Sequence, residues 1–385
     1  IWLYLLLSLL AWGRLTKLVL GGLVLVSAGA SYFMNSYGIV IDYNMLTNML
    51  QTDVAEATEL FNGRLLLWLL LLGVLPALLI SRIPTRPLTW RRELAAKLGS
   101  MAVLLGVFAV LVMSQYQPYA SLIRNHREVR LMLIPSNVVG AVHGYLKREL
   151  AAPVTLEVVG ADAHRISVVG TNHRPRVTVV VVGETARAAN FSLNGYARPT
   201  NPKLAKRDVI NYPQASSCGT ATAVSVPCMF QDVGRADYKE SMAGNREGML
   251  DVLQRAGVGV LWRDNNSGCK GACDRVPSED VSHLKLAEYC ADGECHDEAL
   301  LHNMQAYLDS IERDTVVVLH MKGSHGPAYY KRYPAAFERF TPVCKNVQLD
   351  RCDTASIVNA YDNSLLYTDH VLAATIDLLR NNAAR

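Results

Sequence analysis

Residues 176–187 read RVTVVVVGETAR, and the fold turns on them. The run 176–182 is short, β-branched and stopped by Gly183, so it reads as a strand buried inside a sheet. Residues 258–262 and 315–320 repeat the pattern, and helix-like patterns lie between the runs at 239–256 and 297–313. Strand and helix in alternation predict a mostly parallel sheet covered by helices on both faces, an α/β/α domain. In such sheets chemistry gathers just beyond the carboxyl ends of the strands. Glu184 follows the first strand at such a position.

Outward from this core the composition changes. The chain has 385 residues, 50% hydrophobic and 19% charged, but these averages hide a partition. Residues 1–115 hold almost unbroken apolar runs, at 1–12, 18–34, 65–80 and 98–113, whereas the remainder has globular composition. The runs predict a helical transmembrane domain. The last two would span roughly 24 Å at about 1.5 Å per residue, short of a ~30 Å hydrocarbon core. The chain opens inside an apolar run, without Met or a charged leader, and reads as cut at that point.

Charge orients the helices. Arg14 and Lys17 share one loop, Arg82, Arg86, Arg91, Arg92 and Lys97 another, while Asp42, Asp53, Glu56 and Glu59 lie between the second and third runs. The basic loops are expected in the cytoplasm, which puts an amphipathic loop at 35–64 and everything after residue 116 outside. Residues 116–150 read as a juxtamembrane linker and 151–385 as the exported domain. The net charge of +4 decides nothing by itself, and no nucleic-acid partner is expected.

All eight cysteines lie in the exported part: Cys218 and Cys228, Cys269 and Cys273, Cys290 and Cys295, Cys344 and Cys352. Their even number and local spacing predict a disulfide framework of near neighbours, with a cysteine metal site from 269–273 and 290–295 as the alternative.

Four segments carry groups suited to chemistry. Glu184 is placed to bind a metal, or to sit at a helix start favoured by the dipole. Residues 216–230, SSCGTATAVSVPCMF, lead from a small-residue turn into a short helix whose free N–H groups suit a phosphate oxygen. Thr220 and Thr222 stand there either as helix caps or as a nucleophile, and the second role needs a nearby metal or base. In LHMKGSHGPAYYKRYP, His320 ends a strand and reads as structural, whereas His325 lies in a Gly-flanked loop and reads as functional. Lys270, between Cys269 and Cys273, offers a compact charge to a phosphate or is an ordinary exposed lysine.

Together with NMLQTDVAEATEL, VVVVGETARAANFSLNGYARPTNP, the NNSGCKG loop and YDNSLLYTDH, these segments closely resemble the lipid A phosphoethanolamine transferases, the family that includes the mobile colistin-resistance enzymes. The resemblance spans almost the whole chain. It implies an alkaline-phosphatase/sulfatase-like α/β/α catalytic domain in the periplasm, tied to a multi-pass anchor in the bacterial inner membrane and using zinc. By motif position Glu184 resembles a zinc ligand, and Thr222, rather than Thr220, resembles the nucleophile that carries phosphoethanolamine. Lys270 and His325 match positions that bind the substrate phosphate or a second zinc, with Asn266 and Ser267 beside them. Asn48, Thr52 and Glu56 match residues that hold the ethanolamine headgroup, and their spacing of four would place them on one helical face, where a solvated polar stripe is the alternative.

The family takes two further zinc ligands, an adjacent Asp and His, from a strand that this chain, ending at Arg385, is expected to lack, and another substrate His beyond it. Asp369–His370 imitates the pair but belongs to the helix motif, where packing is the expected role. The activity implied is transfer of phosphoethanolamine from phosphatidylethanolamine to a lipid A phosphate through a phosphothreonine, by a monomer, conferring colistin resistance. A phosphodiesterase or sulfatase of the same superfamily, or an inactive lipid-binding fragment, are the alternatives.

Overall fold

The computed structural model describes the chain apart from residues 1, 14, 53–56, 59, 85–88, 115, 117–126, 151–154, 166–173, 292 and 384–385. It divides into two compact units: Ile1–Gln51 with Leu60–Ala151, and Thr52–Glu59 with Ala152–Arg385.

The first unit is helical: α1 (Trp2–Leu10), α2 (Leu15–Tyr37), α3 (Tyr43–Gln51), α4 (Gly63–Arg82, π-helical over Leu70–Val74), α5 (Trp90–Ser114) and α6 (Ser136–Glu149). Helices α2, α4 and α5, of 23, 20 and 25 residues, are long and apolar enough to cross a membrane. The apolar runs alone underestimate them, because helix continues into polar flanks such as Arg91 and Arg92, whose long stems tolerate an interface. At about 1.5 Å per residue the shortest reaches ~30 Å, so the expected shortfall disappears. Asn62 caps α4 by accepting from Leu65 N at 2.9 Å and is held by Tyr32 Oη at 3.0 Å.

The stretch expected as a linker contains α6, whose Ala141 and Val138, with Ile134 just before the helix, form a small core with Ala30, Ile41, Met45 and Leu46. Helix α3 carries Asn48 but ends at Gln51, so Thr52 lies beyond it, and Glu56 falls outside the described residues. Of the three residues, α3 bears Asn48 alone.

The second unit is built on four parallel strands, β1 (Val177–Val182), β2 (Gly259–Asp264), β3 (Ser278–Asp280) and β6 (Thr315–His320), in the order β1-β6-β2-β3. A hairpin of β4 (Cys290–Ala291) and β5 (Glu294–Cys295) stands apart. Strand residues alternate between two cores, as the period of two requires. One face sends Leu261, Val317 and Leu319 against Ala299, Leu300, Leu308, Tyr367 and Val371. The other sends Val182, Val260, Trp262 and Val318 against Val226, Phe230 and Leu250. The covering helices are α7 (Thr222–Met229), α8 (Met249–Arg255), α9 (Met304–Asp309) and α10 (Thr354–Ala383). Both faces are covered, as the strand runs predicted.

Two helices are shorter than their patterns predicted. In 239–256 a 3-10 turn at Glu240–Met242 gives way to Gly244 at φ 75, and α8 starts only after Gly248, whose N–H is taken by Asp251 Oδ2 at 2.8 Å. In 297–313 Asn303 at φ 54 separates a 3-10 turn, Asp297–Leu301, from α9. A left-handed residue ends a helix whatever the periodicity around it. The cysteines form Cys218–Cys228, Cys269–Cys273, Cys290–Cys295 and Cys344–Cys352, the local pairing expected, which removes the cysteine metal site.

Candidate active site

Register sets the site. Val182 pairs with His320, and His320 with Asp264, so three strands finish level and the residues after them stand side by side. From β1 comes Glu184, from β2 Asn266, and from β6 the loop Met321–His325. Opposite them α7 begins at Thr222, its entry loop held by Cys218–Cys228.

Thr222 Oγ1 donates to Glu184 Oε2 at 3.0 Å. Asn266 Nδ2 approaches the same oxygen at 3.5 Å and donates to Met321 O at 3.0 Å. The other carboxylate oxygen, Oε1, accepts from Thr185 Oγ1 at 2.5 Å. The β6 loop closes from behind: Ser324 N donates to Glu184 O at 3.0 Å, and a Cβ on Gly323 would lie 2.7 Å from that oxygen. Only glycine, here at φ 53, allows the two loops so near.

The carboxylates behind the site are structural supports. Asp264 is buried, which opposes ionisation, but it accepts from His320 Nδ1 at 2.9 Å, Trp262 Nε1 at 2.8 Å and Asn266 N at 2.7 Å, and its carboxyl is held below the usual range. His320, wholly buried, thus has the structural role read from the sequence. Asp297 is fully buried and burial pushes its carboxyl up, against the N–H groups of Lys322 and Gly323 and the amide of Asn265. It fixes the loop that presents His325.

Of the predicted residues, Glu184, Thr222 and Asn266 meet. Ser267 and Lys270 lie on the Asn266 loop, Lys270 at φ 54 with its Nζ donating to Ser267 O at 2.6 Å. His325 sits at the turn of the β6 loop, its carbonyl accepting from Arg332 Nε at 2.8 Å. Thr220 is exposed and precedes the helix, whereas Thr222 reaches the carboxylate. Asp369 accepts from the N–H groups of Lys203 and Leu204, and His370 bonds Glu298 Oε1 at 2.7 Å, so both serve packing.

Sequence reasoning missed the groups that hold these residues: Thr185, Asp264, Asp297 and, on α10, Tyr361 and Asp362. Tyr361 Oη donates to Thr185 O at 2.7 Å and accepts from Arg187 N at 2.8 Å. Burial pushes its hydroxyl up to about 12, so it stays a donor across the physiological range. The only signal for Thr185, Tyr361 and Asp362 was their place inside the quoted motifs GETAR and YDNS.

Glu184 and Thr222 offer two oxygen donors that would be available to a metal ion. Among the described residues no group of three His, Cys, Asp or Glu converges on one point.

Comparison with known proteins covers both units. A family model described as phosphoethanolamine transferase EptA/EptB matches residues 1–150, and one described as sulfatase matches residues 176–385. Phosphoethanolamine transferase EptA of Escherichia coli K12 is 46% identical over 93% of this chain and 66% of its own length. Phosphatidylethanolamine transferase Mcr-1 of Escherichia coli is 39% identical over 95% of this chain and 70% of its own. The integral membrane lipooligosaccharide phosphoethanolamine transferase A from Neisseria meningitidis superposes with a TM-score of 0.92 at 40% identity, covering 98% of this chain and 70% of that one. The chain thus spans about two thirds of the length of the relatives it matches.

Proposed function

The chain belongs to the phosphoethanolamine transferase family, and on that premise we propose that it transfers phosphoethanolamine from phosphatidylethanolamine to a phosphate of lipid A, with Thr222 as the nucleophile. The observation that carries this reading is the pairing of Thr222 Oγ1 with Glu184 Oε2 at the level ends of parallel strands. A threonine hydroxyl attacks phosphorus only when its ionised form is favoured. Glu184 and Thr222 would hold a zinc ion, which supplies a Lewis acid that lowers the cost of that ionisation. The remaining steps belong to the chain's own groups. Asn266 and the N–H groups opening α7 face the phosphoryl oxygens, Lys270 and His325 supply charge and hydrogen bonds to them, and diacylglycerol leaves. The lipid A phosphate then attacks the phosphothreonine and restores Thr222.

Asn48, Thr52 and Glu56 are assigned to the ethanolamine headgroup. The anchor helices belong in the bacterial inner membrane, with the sheet domain in the periplasm and the chain acting as a monomer. Three membrane-length helices and the membrane relatives support this placement.

Mass spectrometry of lipid A and of Thr222 tests the proposal. Thr222→Ala is expected to abolish both the phosphoethanolamine mass shift on lipid A and the labelled threonine. A variant that still modifies lipid A would remove the covalent route. Unmodified lipid A with release of free phosphoethanolamine would instead assign water as the acceptor, the hydrolase reading that the sulfatase match keeps open.

A further inference from the structure

The loop between Arg207 and Cys218 is pinned in three places. Arg207 pairs with Asp377 of α10, through Nε at 3.2 Å and Nη2 at 2.5 Å. Asn211 Nδ2 donates to Asn194 Oδ1 at 2.8 Å and to Leu193 O at 3.3 Å, and Cys218 is bonded to Cys228. On either side of Asn211, Ile210 and Tyr212 are 84% and 76% exposed. Their exposure belongs to an anchored loop, so it is built into the fold. The next most exposed large apolar side chain described in the second unit is Val158, at 55%. Side chains of comparable exposure, such as Leu18 on α2 and Met113 on α5, lie in the first unit, on helices of membrane length.

Single apolar residues on a surface are ordinary, but an aliphatic and an aromatic side chain presented together by an anchored loop mark a contact. Two side chains fall far short of the about 800 Å² per partner that a stable protein interface buries. A bilayer asks for less. The same chain carries three helices long enough to cross one, and tethering gives the second unit an effective concentration at which a weak surface contact counts. Tyrosine favours the headgroup level, where its hydroxyl stays wet, and isoleucine the acyl boundary beneath. Lys206 and Asp208, both exposed on the stem, balance in charge, which leaves the contact to the apolar tip.

We propose that the loop 208–213 docks on the bilayer surface, with Ile210 and Tyr212 entering the interfacial zone of one leaflet. The inference rests on the membrane placement proposed above and adds to it a contact made by the sheet domain itself. The same segment runs on through Cys218 to Thr222, which opens α7, so docking keeps the proposed nucleophile close to lipid headgroups.

The test is fluorescence quenching in the 385-residue chain reconstituted into vesicles of phosphatidylethanolamine and phosphatidylglycerol. All eight cysteines are paired, so one introduced thiol takes one bimane label. Tyr212→Cys carries the probe at the tip, Val110→Cys on α5 reports the bilayer, and Lys285→Cys, exposed in the second unit, reports water. The Tyr212→Cys probe is expected to be quenched by doxyl-labelled lipid several-fold more than the Lys285→Cys probe, to be shielded from iodide, and to emit to the blue. Adding Ile210→Asp is expected to return it to water; quenching that persists there assigns the insertion to the dye and overturns the proposal. If Val110→Cys escapes lipid quenching, the membrane placement falls and the inference with it. If Val110→Cys is quenched while Tyr212→Cys behaves as Lys285→Cys does, the inference alone is overturned, and shielding from both lipid and iodide overturns it too, since protein then covers the tip. Should labelled Tyr212→Cys melt below the parent, Ile210→Cys carries the probe and Tyr212→Asp takes the place of Ile210→Asp, with the same outcomes deciding.

Discussion

Burial deprives Glu294 of hydration, yet its carboxyl lies below the ordinary 4.5 because Arg332 and Lys322 flank it, Arg332 Nη1 at 2.5 Å from Oε2 and Lys322 Nζ at 3.0 Å from Oε1. Arg332 in turn holds the carbonyl of His325. A depressed folded-state value means that the stabilisation is complete above 4.5 and is lost as pH falls through the lower folded value. Glu294→Gln should therefore cost about 2–3 kcal/mol at neutral pH, since the charged carboxylate that Arg332 and Lys322 share is lost. The difference from the parent should shrink as pH falls below the ordinary glutamate range and the folded-state carboxyl takes up its proton. Melting curves against pH check this; a gap that persists in acid would assign the effect to packing. Glu184 and Thr222 were legible as residues because they follow a strand and a small-residue turn. Thr185 was not, for its role comes from Tyr361, 176 positions away.

Helix α10 joins parts of the second unit that are far apart in sequence. Asp362, fully buried on it, accepts from Asn190 Nδ2 at 2.9 Å, Tyr196 Oη at 2.8 Å and Arg198 Nη1 at 2.9 Å, tying down the loop that leaves Glu184. Asp362→Ala leaves these donors without their acceptor and should destabilise the second unit by about 3–5 kcal/mol. Thermal melting reads that loss; a change under about 1 kcal/mol would show the loop to be held by its other contacts. The element reading from sequence succeeded where side chains alone decide, as in 176–182 and 315–320. It overextended helices where Gly244 and Asn303 turn left-handed, since backbone sign leaves no trace in apolar periodicity.

At the scale of the whole molecule the proposed topology is open to labelling. Because all eight cysteines are paired, an introduced thiol is the only free one. A membrane-impermeant maleimide is expected to modify Lys285→Cys in intact spheroplasts, and Ile83→Cys only after permeabilisation. The reverse pattern would invert the assignment. The two solvents of the chain were plain from composition. The packing of α6 on α3 was not, because its apolar face is narrow and broken by polar residues.

The level finish of β1, β6 and β2 carries one more consequence. Glu184, Asn266 and the Gly323 turn are spaced by the ladder of main-chain bonds, which no side-chain substitution rewrites. Loops farther from the sheet can change sequence and length while Glu184, Asn266 and the Gly323 turn keep their mutual spacing.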